Sequence, residues 1–336
     1  MHKWNVLCLL FICSTIWTPF NLLSGEDRSV KNNNGKVLHH VKIKELQTFG
    51  GDQIYSAFGI ASLSDGSLIV SDKLDNKIKR FDAAGKIVKE IGKRGRKPGE
   101  FSGPGPVAVG SNFIAVADFQ SPRIQLFSFD LIYITEFFVP GPIINMAYDK
   151  NDDLWVGLLV YEETTSLVKV HGNGHIMGGI QLKNITKDGF NNLFNFTISR
   201  DGSIFVIYAC QNVVEIWNIE GQFLSQKQIP GFPGRTTRIS LQRSTKGYYD
   251  GGADRMIPNG VLFFKIGSDT MDNIYILGED YSICPQKDVL ILNKQGELTA
   301  MLELPRESNW IYIDPRQNIW SIEDQRLHIC KYKILY

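Results

Sequence analysis

The stretch from Gly59 to Glu90, GIASLSDGSLIVSDKLDNKIKRFDAAGKIVKE, decides the fold. It opens on a short apolar strand, turns at Asp65-Gly66 and continues through LIVSD (68–72). A polar loop leads to KIKRFD (77–82), and a turn at Gly85 leads to KIVKE (86–90). Short apolar runs with period-two alternation, joined by Asp-Gly and Gly turns, describe an antiparallel meander of four strands.

The same order of strands and turns returns at Pro106–Phe137, Ile144–Leu182, Phe196–Ile229 and Leu262–Leu304, and a last copy, Trp310–Leu335, stops after its third strand. Units of about 40 to 50 residues with four strands each are the signature of propeller blades. The expected fold is therefore all-β: a six-bladed β-propeller of four-stranded antiparallel blades occupying residues 37–336. An open strand edge in the short last copy would invite association with other chains. The segment Val37–Leu46, VLHHVKIKEL, has its own apolar alternation at Val41, Ile43 and Leu46 and is expected to supply the missing outer strand and close the ring.

The run from Asp65 to Phe101, followed by FIAVADFQSPRIQLF (113–127), resembles the NHL-repeat type of six-bladed propeller, in particular the exported bacterial propellers in which a G-x-x-P-G-E-F segment joins the first blades. The match is specific in the first two units and degenerate in the rest, where Asp72 and Asp118 have no counterpart. The resemblance implies that Gly95, Pro98, Gly99 and Phe101 form the connector from the outer edge of the first blade to the inner edge of the second. The glycines would permit positive φ, and Phe101 would plug the gap between blades.

With 43% hydrophobic and 21% charged residues the chain has the composition of a folded protein, and its formal net charge of +1 gives no chain-wide bias toward nucleic acid or membrane surfaces. Nucleic acid is not an expected partner. A basic start, the apolar run from Trp4 to Trp17 and the small pair Ser24-Gly25 describe a secretory signal peptide over residues 1–25, followed by a polar tether over 26–36. An uncleaved anchor, or a lipid on Cys13, are the competing readings, and an anchor is the one expected route to a membrane. The expected location is periplasmic or extracellular, and the expected state a monomer. Of the three cysteines beyond the signal, Cys210 and Cys284 are the candidate disulfide pair, with three separate buried thiols as the alternative.

Local charge is where function is expected. Lys93, Arg94, Arg96 and Lys97 lie on the first between-blade connector, and the long insertion 230–260 carries Arg235, Arg238, Arg243 and Arg255 together with Tyr248 and Tyr249. Lys183 and Lys187 lie on a third connector. In this strand order the connectors share one face, so that face is expected to bind a protein partner, an anionic glycan or a phosphate-bearing ligand. Solvated loops carry the same residues, which is the plainer reading. A metal-dependent lactonase, hydrolase or lyase with its site in the central channel is the alternative. For it the candidate ligands are weak: Asn145, Asn195 and Asn309 at expected channel-facing positions beside Phe58, Pro106 and Val261, and His171 and His175 around a tight turn. Asparagines without an acidic residue do not neutralise a divalent cation, and two histidines without a third ligand seldom make a zinc site. No cofactor and no catalytic residue is expected. Asp72 and Asp118 are expected to accept loop N–H bonds and to pair with Lys77 and Arg123.

Overall fold

Repeating turn chemistry builds the molecule. The computed structural model describes residues 38–159, 166–172, 174–183, 193–208, 211–229, 237–239, 255–257, 261–280, 285–323 and 326–335. The N-terminal strands are β1 (His39–His40) and β2 (Lys42–Gly50). Blade one is β3 (Ala57–Ser62), β4 (Leu68–Asp72), β5 (Lys77–Phe81) and β6 (Ile87–Ile91). Blade two is β7 (Pro104–Val109), β8 (Ile114–Asp118), β9 (Arg123–Phe127) and β10 (Tyr133–Phe138). Blade three is β11 (Ile143–Tyr148), β12 (Leu154–Leu158), β13 (Leu167–Val170) and β14 (Ile176–Ile180). Blade four is β15 (Phe194–Ile198), β16 (Ser203–Tyr208), β17 (Gln211–Asn218) and β18 (Phe223–Gln228).

A two-stranded ribbon, β19 (Thr237–Ile239) with β20 (Arg255–Ile257), precedes β21 (Val261–Ser268), β22 (Ile274–Asp280) and β23 (Pro285–Leu292). Next, β24 (Leu298–Ile313) runs unbroken from the outer edge of blade five to the inner edge of blade six, followed by β25 (Asn318–Glu323) and β26 (His328–Leu335). The outer neighbour of β26 is β2, antiparallel, with Lys42 opposite Leu335 and Gly50 opposite His328. That strand extends four residues beyond the segment singled out in the sequence, while β1 pairs in parallel with the blade-five half of β24. Among the described residues no helix is long and apolar enough to cross a membrane.

In five blades the hairpin between the first and second strands repeats one geometry. Leu63, Asp149, Ser199, Asp269 and Asp314 each donate their N–H to the carbonyl four residues on and accept from the N–H three residues on. The residue at that third step has positive φ: Gly66, Asp152, Gly202, Asp272 and Gln317. Outside glycine this conformation is disfavoured, and the three non-glycine turns carry an extra lock. Asp149 accepts from Trp155 Nε1 at 3.0 Å, Asp269 from the Tyr275 hydroxyl at 3.0 Å and Asp314 from Trp320 Nε1 at 2.9 Å. An aspartate with an aromatic six residues later thus replaces the Asp-Gly signature in blades three, five and six.

The core lies between neighbouring blades, where sheets pack face to face. Ile69 and Ile78 of blade one meet Ile114, Val116 and Phe127 of blade two. Trp310, Trp320 and Ile329 of blade six meet Phe58, Val70 and Phe81 of blade one. Each blade buries apolar side chains on both faces, which is why its middle strands read as nearly continuous apolar runs.

Candidate functional site

The connector between blades one and two is held through its backbone. Arg123, near the start of β9 and 3% exposed, donates from Nη1 to the Arg96 carbonyl at 2.7 Å and from Nη2 to the Glu100 carbonyl at 2.8 Å. Gln125, two residues on and fully buried, accepts from the Gly99 N–H at 2.7 Å and donates to the Glu100 carbonyl at 2.9 Å. Arg123 also pairs with Asp118 at 2.9 Å and Glu136 at 3.1 Å. The Lys97 N–H and the Lys93 ammonium hold the Glu100 carboxyl below its ordinary range. Phe101 is fully buried against Phe127, with ring centroids 6.0 Å apart.

Gly99 has φ of +76°, whereas Gly95 does not have positive φ, and a Cβ there would displace the Glu100 carboxylate. The expectation of positive φ at both glycines is corrected to that extent. With the backbone clamped, the side chains of Lys93, Arg94, Arg96 and Lys97 remain exposed. Lys93 lies 3.4 Å from Glu100, while Arg94, Arg96 and Lys97 make no ion pair among the described residues.

Asp72 and Asp118 each end a second strand and staple the segment entering the inner strand of their own blade. Asp72 accepts the N–H groups of Tyr55 and Ser56 at 2.8 and 2.9 Å, and Asp118 accepts that of Ser102 at 3.1 Å. The buried cation facing Asp72 is Lys79 at 2.8 Å; Lys77, the expected partner, binds Glu90 at 2.6 Å instead. Lys77 and Lys79 share a strand face, and Lys79 is the one carried into the interior, where it also donates to the Gln53 carbonyl at 2.8 Å. In blade six Glu323 ends the second strand at the same place, fully buried. It pairs with Arg306 at 3.3 Å and accepts from the Tyr332 hydroxyl at 2.7 Å and from Cys330 Sγ at 3.1 Å. A counterpart to the two aspartates therefore exists, one carbon longer and paired with a cation from β24.

Six inner strands enclose a central channel of about 200 Å³. Asn145 and Asn195 line it, but Asn145 Nδ2 donates to Asn195 Oδ1 at 2.7 Å and to the Phe196 carbonyl at 3.0 Å. The same Asn195 oxygen accepts the Phe196 N–H at 2.9 Å. These amides tie blade three to blade four, as Thr197–Ser268 ties four to five and Ser62–Tyr312 ties one to six. Asn309 is half-buried and does not join the channel lining. Register shifts fall at Ala57/Gly59, Pro104/Val107, Ile143/Asn145, Phe263/Lys265 and Ser308/Trp310, the connector ends of five inner strands. A bulge re-aims every side chain beyond it, so simple alternation misplaces the channel-facing set. Lys265 and Trp310, directly after two of these bulges, line the channel where Val261 and Asn309 were expected.

At that end of the channel cations meet aromatic rings. Phe58 lies with centroid 5.6 Å from Phe119 and 5.7 Å from Trp310. Lys73 Nζ sits 3.7 Å from the Phe119 centroid, and Lys265 Nζ sits 3.5 Å from that of Trp310. Both, and the Arg326 guanidinium, lie within 6.0 Å of the Phe58 centroid. Lys73 and Phe119 lie against Gly103, so the basic connector descends from the rim to this cluster on one face. No local sequence signal marks the cluster, because its members come from blades one, two, five and six.

The remaining candidates are dispersed. His171 is exposed with Nδ1 3.0 Å from Asp153, and His175 is exposed across the turn. Among the described residues no group of three or more His, Cys, Asp and Glu is placed to hold a metal. Lys183 stacks on Phe223 at 3.4 Å rather than offering its charge to the connector face. Arg238 and Arg255 face each other's strands in the ribbon, where only the backbone is described. Lys187, Arg235, Arg243, Tyr248, Tyr249, Cys210 and Cys284 lie outside the described residues. Cys330 is buried and free, and burial pushes its thiol up to about 12.

Six four-stranded blades around a channel, with the between-blade connectors on one face, define a β-propeller. The chain belongs to the 6-bladed beta-propeller family whose model matches residues 59–229. No curated protein is significantly similar to it in sequence. Among solved structures it is similar to a Bacteroides fragilis protein described as exported, with 12% identity, a TM-score of 0.59, and 91% of this chain and 97% of that one covered. It is also similar to virginiamycin B lyase from Staphylococcus aureus, with 14% identity, a TM-score of 0.56, and 88% and 100% covered. A structural genomics protein from Bacteroides thetaiotaomicron matches with 12% identity, a TM-score of 0.57, and 89% and 73% covered. At these identities the likeness is one of fold.

Proposed function

We propose that this propeller, of the NHL type and working after export, is a recognition module that binds an anionic ligand or the acidic surface of a protein through its connector face. One observation carries the reading: the connector backbone is clamped by Arg123 and Gln125 while Arg94, Arg96 and Lys97 are exposed and unpaired among the described residues. A rigid backbone presents charges at fixed positions, so less ordering entropy opposes binding. Guanidinium groups suit carboxylate, sulfate and phosphate geometry. The basic residues of the 230–260 insertion belong to the same reading.

The test is retention on immobilised heparin, a sulfated glycan, across a sodium chloride gradient. The unaltered protein is expected to bind at low salt and to elute as salt screens the contact. Replacing Arg94, Arg96 and Lys97 together by alanine is expected to weaken binding by about tenfold, the sum of three exposed contacts of about 0.5 kcal/mol each. Unchanged retention of the folded triple variant would overturn the assignment to this connector.

A further inference from the structure

We propose that the connector face of blades one and two takes one class of partner, an acidic protein segment that carries large apolar side chains. This rests on the reading of the connector as a binding site and names the partner that site fits. Among the described residues, Leu74 at 69%, Tyr55 at 61% and Phe138 at 60% rank with the most exposed large hydrophobic side chains. Single exposed apolar residues are ordinary on a protein surface, but these three lie around the same basic segment.

Hydrogen bonds tie each of them to that segment or to its neighbour. Leu74 belongs to the loop between β4 and β5, where its carbonyl accepts from Asn76 Nδ2 at 3.2 Å. The Asn76 side-chain oxygen accepts in turn the Gly103 N–H at 3.0 Å, at the far end of the connector. Phe138 ends β10 opposite Arg123, whose guanidinium holds the Arg96 carbonyl at 2.7 Å. Tyr55 stands beside the Leu74 loop, because Asp72 accepts the N–H groups of both Tyr55 and Asp75, at 2.8 and 3.4 Å. Leu74 and Phe138 therefore flank the basic connector from blades one and two, with Tyr55 beyond Leu74. The Asp75 carboxylate in that loop is occupied by Lys79 at 2.9 Å and Lys77 at 3.6 Å, which blunts its repulsion of an acidic partner. Arg94, Arg96 and Lys97 complement carboxylates, while the apolar side chains around them offer contacts that a free phosphate or sulfate group cannot use. Aromatic and arginine side chains together on one surface are the composition of protein interfaces. Because their backbones are already held, little ordering of this face opposes binding.

The experiment titrates the full protein, at low salt, into two fluorescein-labelled synthetic peptides of equal length and charge and reads fluorescence anisotropy. One peptide is built of aspartate, glutamate, leucine and phenylalanine, the other of aspartate, glutamate and serine. The first is expected to bind about tenfold more tightly, the effect of partly burying leucine and phenylalanine side chains. Leu74→Ser combined with Phe138→Ser is expected to erase that preference and to leave heparin retention unchanged, whereas the Arg94, Arg96 and Lys97 triple variant weakens both peptides. Tyr55→Ser alone is expected to reduce the preference, a second reading that does not depend on the folding of the double variant. Equal affinity for the two peptides beside retained heparin binding would overturn this inference and leave the connector as a site for a glycan or a phosphate compound. A folded double variant that keeps the preference would overturn it too. Binding of phosphatidylglycerol vesicles with neither peptide bound would do the same and assign the face to a lipid surface. Absence of binding to heparin and to both peptides would overturn the connector reading itself.

Discussion

Replacing Arg123 by alanine tests whether the basic connector is held from below. The side chain is 3% exposed, and its fork makes four contacts, two to connector carbonyls at 2.7 and 2.8 Å and two to Asp118 and Glu136 at 2.9 and 3.1 Å. Removal leaves Asp118 buried without its arginine, and loss of one partner of a buried pair costs about 3–5 kcal/mol. For a domain of about 300 residues that is a fall in Tm of roughly 5–8 °C. Lysine at the position restores one charge but not the fork, so Arg123→Lys is expected to recover only part of the loss. Arg96→Ala, which removes an exposed side chain and leaves its clamped carbonyl in place, is expected to change stability by less than about 0.5 kcal/mol. Urea unfolding followed by tryptophan fluorescence and calorimetric Tm measure both. The reasoning also requires Arg123→Ala to weaken heparin retention although every exposed cation is intact, because the loosened connector must be ordered again on binding. A destabilisation below about 1 kcal/mol for Arg123→Ala, or an equal loss for Arg96→Ala, would refute it.

Phe101→Ala, at a fully buried plug between blades one and two, is expected to cost about 3–5 kcal/mol by urea unfolding. Asp314→Ala removes the acceptor of Trp320 Nε1, Asn318 and the Arg316 N–H; a loss of about 2–3 kcal/mol is expected, with Trp320 fluorescence altered in the folded state. Burial raises the Cys330 thiol from 9.0 to about 12, with Glu323, Arg306 and Tyr332 facing it, so the folded form keeps a proton that the unfolded chain releases above 9.0. Stability is therefore expected to fall as pH rises from 9.0 toward 12, and Cys330→Ala to flatten part of that slope in urea titrations. The same burial makes alkylation of Cys330 slow in the native protein and fast after unfolding, measurable by mass spectrometry.

The meander of residues 59–90 needed no tertiary information, because strand alternation, Asp-Gly turns and repetition are local properties that each blade states again. The degenerate blades were readable for the same reason: apolar runs persist even where glycine is replaced. What stood in for glycine was less visible, since the Asp149–Trp155 and Asp314–Trp320 locks are recognised only once a turn with positive φ at Asp152 and Gln317 gives them a purpose. The connector was legible as a basic segment with an architectural frame, and the exposed positions of Arg94, Arg96 and Lys97 agree with that reading.

The sequence by itself determined the blade count, the order of strands and the separation of frame from charge in IGKRGRKPGEF, since each depends on residues within a few positions of one another. Tertiary structure alone decided which side chains meet at the channel. Inner-strand bulges changed the facing of Lys265 and Trp310, and the Asn145 amide donates to Asn195 Oδ1 and the Phe196 carbonyl instead of facing the channel as a free ligand. The Phe58 cluster draws on residues from position 58 to position 326, brought together by a ring whose geometry depends on the pairing of β2 with β26. Alternation along one strand cannot encode that meeting point, because a single inserted residue reverses the face on which the later side chains of its own strand lie.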